Sequence, residues 1–166
     1  MKIKGIIFDL DETIINTCIL KQFRDRRDWD TCYLRASECT VYDHMIETLA
    51  KIDESGIPIG FVTNSPRKYA ITLLTSHNIR FDALVAYHDC TPRKPHPDPM
   101  LKCAELLKIS PEHILSIGDD VNDIRAANSA GMISVAVTWG VSSREDLLRV
   151  NPNFIFNSGI DILSII

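Results

Sequence analysis

The stretch Lys4-Gly5-Ile6-Ile7-Phe8-Asp9-Leu10-Asp11-Glu12-Thr13 decides the fold. A short apolar run of this kind, ended abruptly by carboxylates, reads as a buried strand followed by a functional loop. Working outward, further apolar runs stand at Pro58–Val62, Ala83–Ala86, Ile114–Ile117 and Ser134–Val137, with a weaker one at Asn153–Phe156. Segments of helical length separate them. Val41–Glu54 places apolar residues at 41, 45, 46, 49 and 52, one face of a 3.6-residue period, and stops at Gly56. Helices are likewise expected over Pro66–Ser76, Pro97–Leu107, Asp120–Ala130 and Ser143–Val150, with a short one at Ile160–Ile165. Strand and helix in alternation predict an α/β fold, three-layered and Rossmann-like, around a mainly parallel sheet of about five or six strands.

Composition bounds the function. The 166 residues are 45% hydrophobic and 24% charged, the range of one globular domain, so residues 1–166 are read as a single unit. No apolar run approaches the roughly 20 residues of a membrane span. The first apolar stretch is too short for a signal peptide, and the expectation is a cytoplasmic protein with no membrane partner. A net charge of −4 argues against nucleic acid, whose phosphates attract basic surfaces. Five cysteines with no CxxC pair read as free thiols rather than disulfides or a zinc site.

One segment is extra to a plain β-α-β unit. Residues 16–40 sit between the first strand and the next helix, and within them Lys21–Arg35 is crowded with both charge signs and three aromatics. Two readings stand: a solvated helix with salt-bridged faces, or a minimal lid whose arginines meet an anionic substrate.

Each strand end carries chemistry. Asp9 and Asp11, two apart, leave one face of an extended segment, and close carboxylates need a cation or a shared proton. After the second strand, Thr63-Asn64-Ser65 precede Pro66 and a helix start. This suits an anion cradle, with Ser65 as helix cap. After the third, a proline-stiffened loop carries Arg93 and Lys94, Lys94 being the preferred partner for a charged group. His96 there has no second ligand at metal-binding spacing. After the fourth, Gly118-Asp119-Asp120-Val121-Asn122-Asp123 stacks Asp119 and Asp123 on one face if the segment winds into a helix. Oxygen donors of this kind suit Mg²⁺.

Asp9-Leu10-Asp11-Glu12-Thr13, Thr63-Asn64, Lys94-Pro95 and Gly118-Asp119-Asp120-Val121-Asn122-Asp123 resemble, in order and spacing, the four motifs of the haloacid dehalogenase superfamily, and most of all its phosphoglycolate phosphatase-like branch. The resemblance implies a Mg²⁺-dependent phosphatase acting on a small phosphorylated substrate. Asp9 would be the nucleophile that forms an aspartyl-phosphate and Asp11 the general acid and base. The metal would be held by Asp9, Asp11 through its main-chain carbonyl and Asp119, with Asp123 holding its outer shell. Thr63, Asn64 and Lys94 would hold the phosphoryl oxygens. Thr13 would order the turn after the first strand, and Asp120 ranks below Asp119. A phosphomutase would keep the same residues, whereas dehalogenases do not need a proton donor at the position of Asp11. A cap of four helices needs roughly 40 residues, so the expected cap is reduced or absent. That leaves the crevice open for a neighbouring subunit, and a homo-oligomer is a further expectation. From another class, a phospho-accepting signalling receiver shares the acidic pair and Lys-Pro but lacks a second acidic motif. A catalytically silent interaction module would not fill every expected position.

Overall fold

A computed structural model describes residues 2–166. Strand β1 (Gly5–Phe8) leads into a two-residue strand β2 (Ile15–Asn16). Two short helices follow, α1 (Lys21–Asp25) and α2 (Trp29–Leu34), then β3 (Thr40–Val41) and α3 (Met45–Glu54). The remainder alternates: β4 (Ile59–Val62), α4 (Arg67–Ser76), β5 (Ala83–Val85), α5 (Asp98–Leu107), β6 (Ile114–Gly118), α6 (Val121–Ser129), β7 (Ile133–Val137), α7 (Arg144–Arg149) and β8 (Phe154–Phe156). A 3₁₀ turn over Gly159–Ser164 takes the place of the expected last helix.

Six strands form one parallel sheet in the order β5-β4-β1-β6-β7-β8. β1 lies between β4 (Ile7 opposite Gly60) and β6 (Ile7 opposite Ser116), so two of the motif-bearing loops flank the Asp9 loop directly. The period-2 alternation of the strands splits the core. Ile6, Phe8 and Phe61 pack on one face with Tyr69, Leu73 and Met45 from α4 and α3. Ile7 and Val62 pack on the other with Met100, Cys103 and Ala126 from α5 and α6. Helices therefore cover both faces, the three-layer α/β arrangement expected.

Some element ends move for local reasons. The helix expected from Val41 starts only at Met45, because His44 adopts φ 64° and Thr40–Val41 pair with β2 instead. Asp120 and Ser143 stand outside their helices as caps, their side chains accepting main-chain N–H groups of Asn122 and Asp146. The segment Lys21–Arg35 is two helices rather than one. The chain turns at Arg27, with φ 57°, and Asp28 caps the second helix by accepting from the Thr31 N–H at 3.2 Å. The antiparallel ribbon of β2 and β3 pairs Asn16 with Thr40 and closes the base of this insertion. Leu20, Cys32, Ala36 and Cys39 enter the core beside α4, so the insertion is packed onto the domain. No helix among the described residues is long and apolar enough to cross a membrane.

Candidate active site

The carboxyl ends of β1, β4 and β6 open into a pocket of about 250 Å³, lined by Asp9, Asp11, Thr63, Asn64, Lys94, Asp119 and Asp123 among others. The residues expected to act as nucleophile, acid, metal ligands and phosphate holders thus line one cavity, whereas Thr13, Arg93 and His96 do not line it.

Lys94 is its centre of charge. Its ammonium donates to Asp9 Oδ1 at 2.6 Å, to Asp123 Oδ1 at 2.6 Å and to the Val62 carbonyl at 2.9 Å. The residue is 8% exposed. Burial alone would lower its pKa, but the Asp123 and Asp9 carboxylates overcome that and hold the ammonium protonated well above the usual range. Asp9, Asp119 and Asp123 each offer a carboxylate oxygen within 4.8 Å of the others. Burial, with Asp123 and Asp119 as like charges, drives the Asp9 carboxyl well above its ordinary range against the pull of Lys94. Asp119 is raised to about 6, by burial and then by Asp123, although the Thr13 hydroxyl and the Val141 N–H oppose this. Three carboxylates, Asp119 and Asp123 buried and Asp9 half-buried, stand against one ammonium and leave a negative surplus. Hard oxygen donors with such a surplus fit a small divalent cation such as Mg²⁺.

The supporting contacts fix these groups in place. Asp119 accepts from Thr13 Oγ1 at 2.6 Å and from the Val141 N–H at 2.8 Å. Thr13 is itself held, since its carbonyl accepts from Trp139 Nε1 at 3.0 Å. Asp123 Oδ2 accepts the main-chain N–H of Asp120 at 3.0 Å, and the Asp120 side chain accepts from the Asn122 N–H at 2.8 Å. This capping box explains both acids at the start of α6 and places Asp120 in a structural position beside the carboxylate cluster. Gly140 lets the chain pass against Asp119, where a Cβ would collide with that side chain.

Asp11 differs from the expectation that it leaves the same face as Asp9. β1 ends at Phe8, and the chain turns through Glu12 at φ 62°, so strand alternation no longer governs position 11. Its carboxylate lines the same pocket but is not one of the clustered three, and it accepts from Thr17 at 2.8 Å, Tyr69 at 2.7 Å and Ser65 at 2.8 Å. Arg24 of α1 adds an ion pair at 2.6 Å. Burial and then the Asp11 charge raise the Tyr69 phenol far above its usual range, leaving it a permanent donor. Ser65 was expected to cap α4; its hydroxyl is spent on Asp11, and Pro66 stands at the cap position without a side-chain bond. Thr63 Oγ1 accepts from the Ser65 N–H at 3.0 Å, and the Asn64 amide donates to the Lys94 carbonyl at 3.3 Å, which ties the cradle to the lysine loop. Arg93 does not join the pocket; its guanidinium lies 3.5 Å from the Tyr87 ring centroid.

Sequence reasoning missed Tyr69 and Thr17 as partners of Asp11. The available signal was Tyr69 itself, on the apolar face of a helix, since a buried phenol needs a hydrogen-bond partner. Of the five insertion cations, Arg24 alone reaches Asp11. Lys21 pairs with Asp25 and Arg35 with Glu38, both within the insertion and on its exposed side.

A parallel sheet whose central strand ends in this cluster, met by a lysine from the β5–α5 loop, defines a class of hydrolase. The family of haloacid dehalogenase-like hydrolases matches residues 22–137, and the chain belongs to it. Among curated relatives, phosphoglycolate phosphatase of Escherichia coli strain K12 is 37% identical over 125 residues, covering 74% of this chain and 50% of that protein. The phosphoglycolate phosphatase of Shigella boydii is 35% identical over 142 residues, covering 83% and 56%. The chain thus spans about half the length of the curated relatives it matches. The fold is shared with a predicted phosphoglycolate phosphatase of Haemophilus somnus, at TM-score 0.86 and 24% identity over 99% of this chain and 98% of that one. It is shared also with CbbY of Rhodobacter sphaeroides, solved in complex with phosphate, at TM-score 0.80 and 17% identity over 96% of each.

Proposed function

We propose that the protein is a cytoplasmic Mg²⁺-dependent phosphatase that hydrolyses a small phosphomonoester through an aspartyl-phosphate on Asp9. The observation that carries this reading is the cluster of Asp9, Asp119 and Asp123, with Lys94 bonded to Asp9 and Asp123 at 2.6 Å each. Mg²⁺ would be held by Asp9, Asp119 and the main-chain carbonyl of Asp11, with Asp123 in its outer shell, and would neutralise charge on the phosphoryl group.

The chain's own residues do the rest. Asp9 attacks phosphorus, and the P–O bond to the leaving alkoxide breaks. Asp11 protonates that alkoxide, then takes a proton from the water that releases phosphate. Lys94, Thr63 and Asn64 hold the phosphoryl oxygens as charge shifts onto them. The phosphatase relatives support hydrolysis over phosphomutase chemistry, and so does a pocket open to water, because a mutase must shelter its phospho-enzyme.

The test is hydrolysis of p-nitrophenyl phosphate with Mg²⁺ and with excess chelator. Activity is expected only with the metal. Asp9→Asn should abolish turnover, and Asp11→Asn should slow it about 10²–10⁴-fold, more for poor leaving groups than for p-nitrophenolate. Full activity in chelator, or equal losses in Asp11→Asn for good and poor leaving groups, would sink the respective assignment.

A further inference from the structure

The site continues sideways into a larger groove of about 550 Å³. Arg24, Asn64 and Ser65 border both cavities, so the two form one continuous concavity. Three aromatic rings from separate elements line the groove, set among charged and polar residues that include Arg24, Asp25 and Arg27. Trp29 opens α2 and packs edge-on against Tyr69, with ring centroids 5.7 Å apart. Tyr87 and His88 follow β5, their rings 4.8 Å apart at 81°. Arg93 stacks beneath Tyr87 and donates its Nε–H to the Tyr87 carbonyl at 2.9 Å, which stiffens that wall before any ligand arrives. Arg27 lines the groove, is exposed, and forms no ion pair among the described residues, whereas Lys21 and Arg35 are paired.

Size and lining together constrain the leaving group. A pocket of about 250 Å³ suffices for a phosphoryl group with a few attached atoms. A two-carbon alcohol would leave the adjoining 550 Å³ unused, and a volume of that order suits a ligand well above phosphoglycolate in size. Flat aromatic walls with a cation beside them favour a flat, electron-rich ring over a flexible polyol.

We propose that the groove is the leaving-group site, and that it takes a phosphomonoester whose alcohol bears a planar aromatic or heteroaromatic ring. The ring lies against Trp29 and the Tyr87–His88 pair, with Arg27 at its outer edge. This rests on the phosphatase reading above. Binding energy gained on the ring, remote from phosphorus, is what raises kcat/KM over that of ringless esters.

Nucleoside 5′-monophosphates, with phosphate at one end and a ring several bonds away, are the probes. With Mg²⁺, kcat/KM for adenosine and uridine 5′-monophosphates is expected to exceed that for phosphoglycolate and glycerol 3-phosphate at least tenfold. In Trp29→Ala, and separately in the exposed-loop variant His88→Ala, that ratio should collapse towards one. A second readout does not depend on turnover. Titrating a nucleoside 5′-methylenephosphonate, in which CH2 replaces the bridging ester oxygen so that no P–O bond to the nucleoside can break, should quench tryptophan fluorescence, and the quench should persist in Trp139→Phe but vanish in Trp29→Phe. Quenching without hydrolysis of any phosphomonoester would overturn the phosphatase reading and leave the ring site standing. Hydrolysis without ring preference and without quenching would do the reverse. Loss of both overturns both. A dimer in gel filtration that shields Trp29 from the phosphonate would also overturn the proposal, because the groove would then belong to a second copy.

Discussion

Lys94→Met removes the cation from the carboxylate cluster while nearly keeping the volume of the side chain. In the native protein the ammonium satisfies Asp9 and Asp123 at once, at 2.6 Å each, and its side chain is 4% exposed. Removing one partner of a buried ion pair costs about 3–5 kcal/mol, because the remaining charge stays desolvated. Burial already pushes the Asp9 carboxyl upward, so proton uptake there once the ammonium is gone offsets part of that penalty. The lower end, about 3 kcal/mol, is therefore expected. For a domain of this size each kcal/mol shifts Tm by about 2–4 °C, which gives a fall of about 6–12 °C. Thermal unfolding followed by circular dichroism in chelator measures it. In Mg²⁺ the difference should narrow, since an ion at 100 times the wild-type Kd adds about 2.7 kcal/mol to the wild type and more to a cluster that, lacking its lysine, binds it more tightly. Turnover of p-nitrophenyl phosphate should fall about 10²–10³-fold, as for loss of one transition-state donor. A variant melting within about 1 °C of wild type in chelator would refute the argument that Lys94 holds the cluster together.

Three further perturbations separate the roles of neighbouring groups. Gly140→Ala drives a methyl group into Asp119, so the Mg²⁺ concentration for half-maximal activity should rise about 10–100-fold, read from a metal titration. Asp120→Ala removes the cap of α6 and should cost about 1 kcal/mol in denaturant unfolding, while the Mg²⁺ titration stays within about twofold of wild type. Alkylation at pH 8 with mass-spectrometric readout should modify the exposed Cys18 first. Burial pushes the Cys103 thiol up to about 12 and the Cys39 thiol up to about 11, so both stay protonated and unreactive until the chain is denatured. Labelling of Cys103 as fast as Cys18 would contradict its place between the sheet and α5.

The apolar runs ending in Phe8, Val62 and Ile117 determined by themselves which residues would be strands and which loops would carry chemistry. In a parallel sheet with both faces covered, a strand must be apolar throughout and can be polar only where it ends. Asp9, Lys94 and Asp119 were legible for that reason, each being polar at a strand end or in the loop that follows, and Asp123 because it stands in the first turn of the helix after β6. What residue spacing could not say was how the loops turn after the strands stop. Periodicity governs regular backbone alone, and the left-handed residues Glu12, Arg27 and His44 break it. Those turns decided that Asp11 leaves the carboxylate cluster for Thr17, Ser65 and Tyr69, and that the insertion is two helices. They also set Arg24 on Asp11 while Trp29, Tyr87 and His88 line a shared groove. The fold brings together residues as far apart in sequence as Asp11 and Tyr69, which hydrogen-bond, or Trp29 and His88, which line one groove. Only the packing of α2 and α4 over the sheet brings such pairs within reach, so the tertiary structure alone could reveal them.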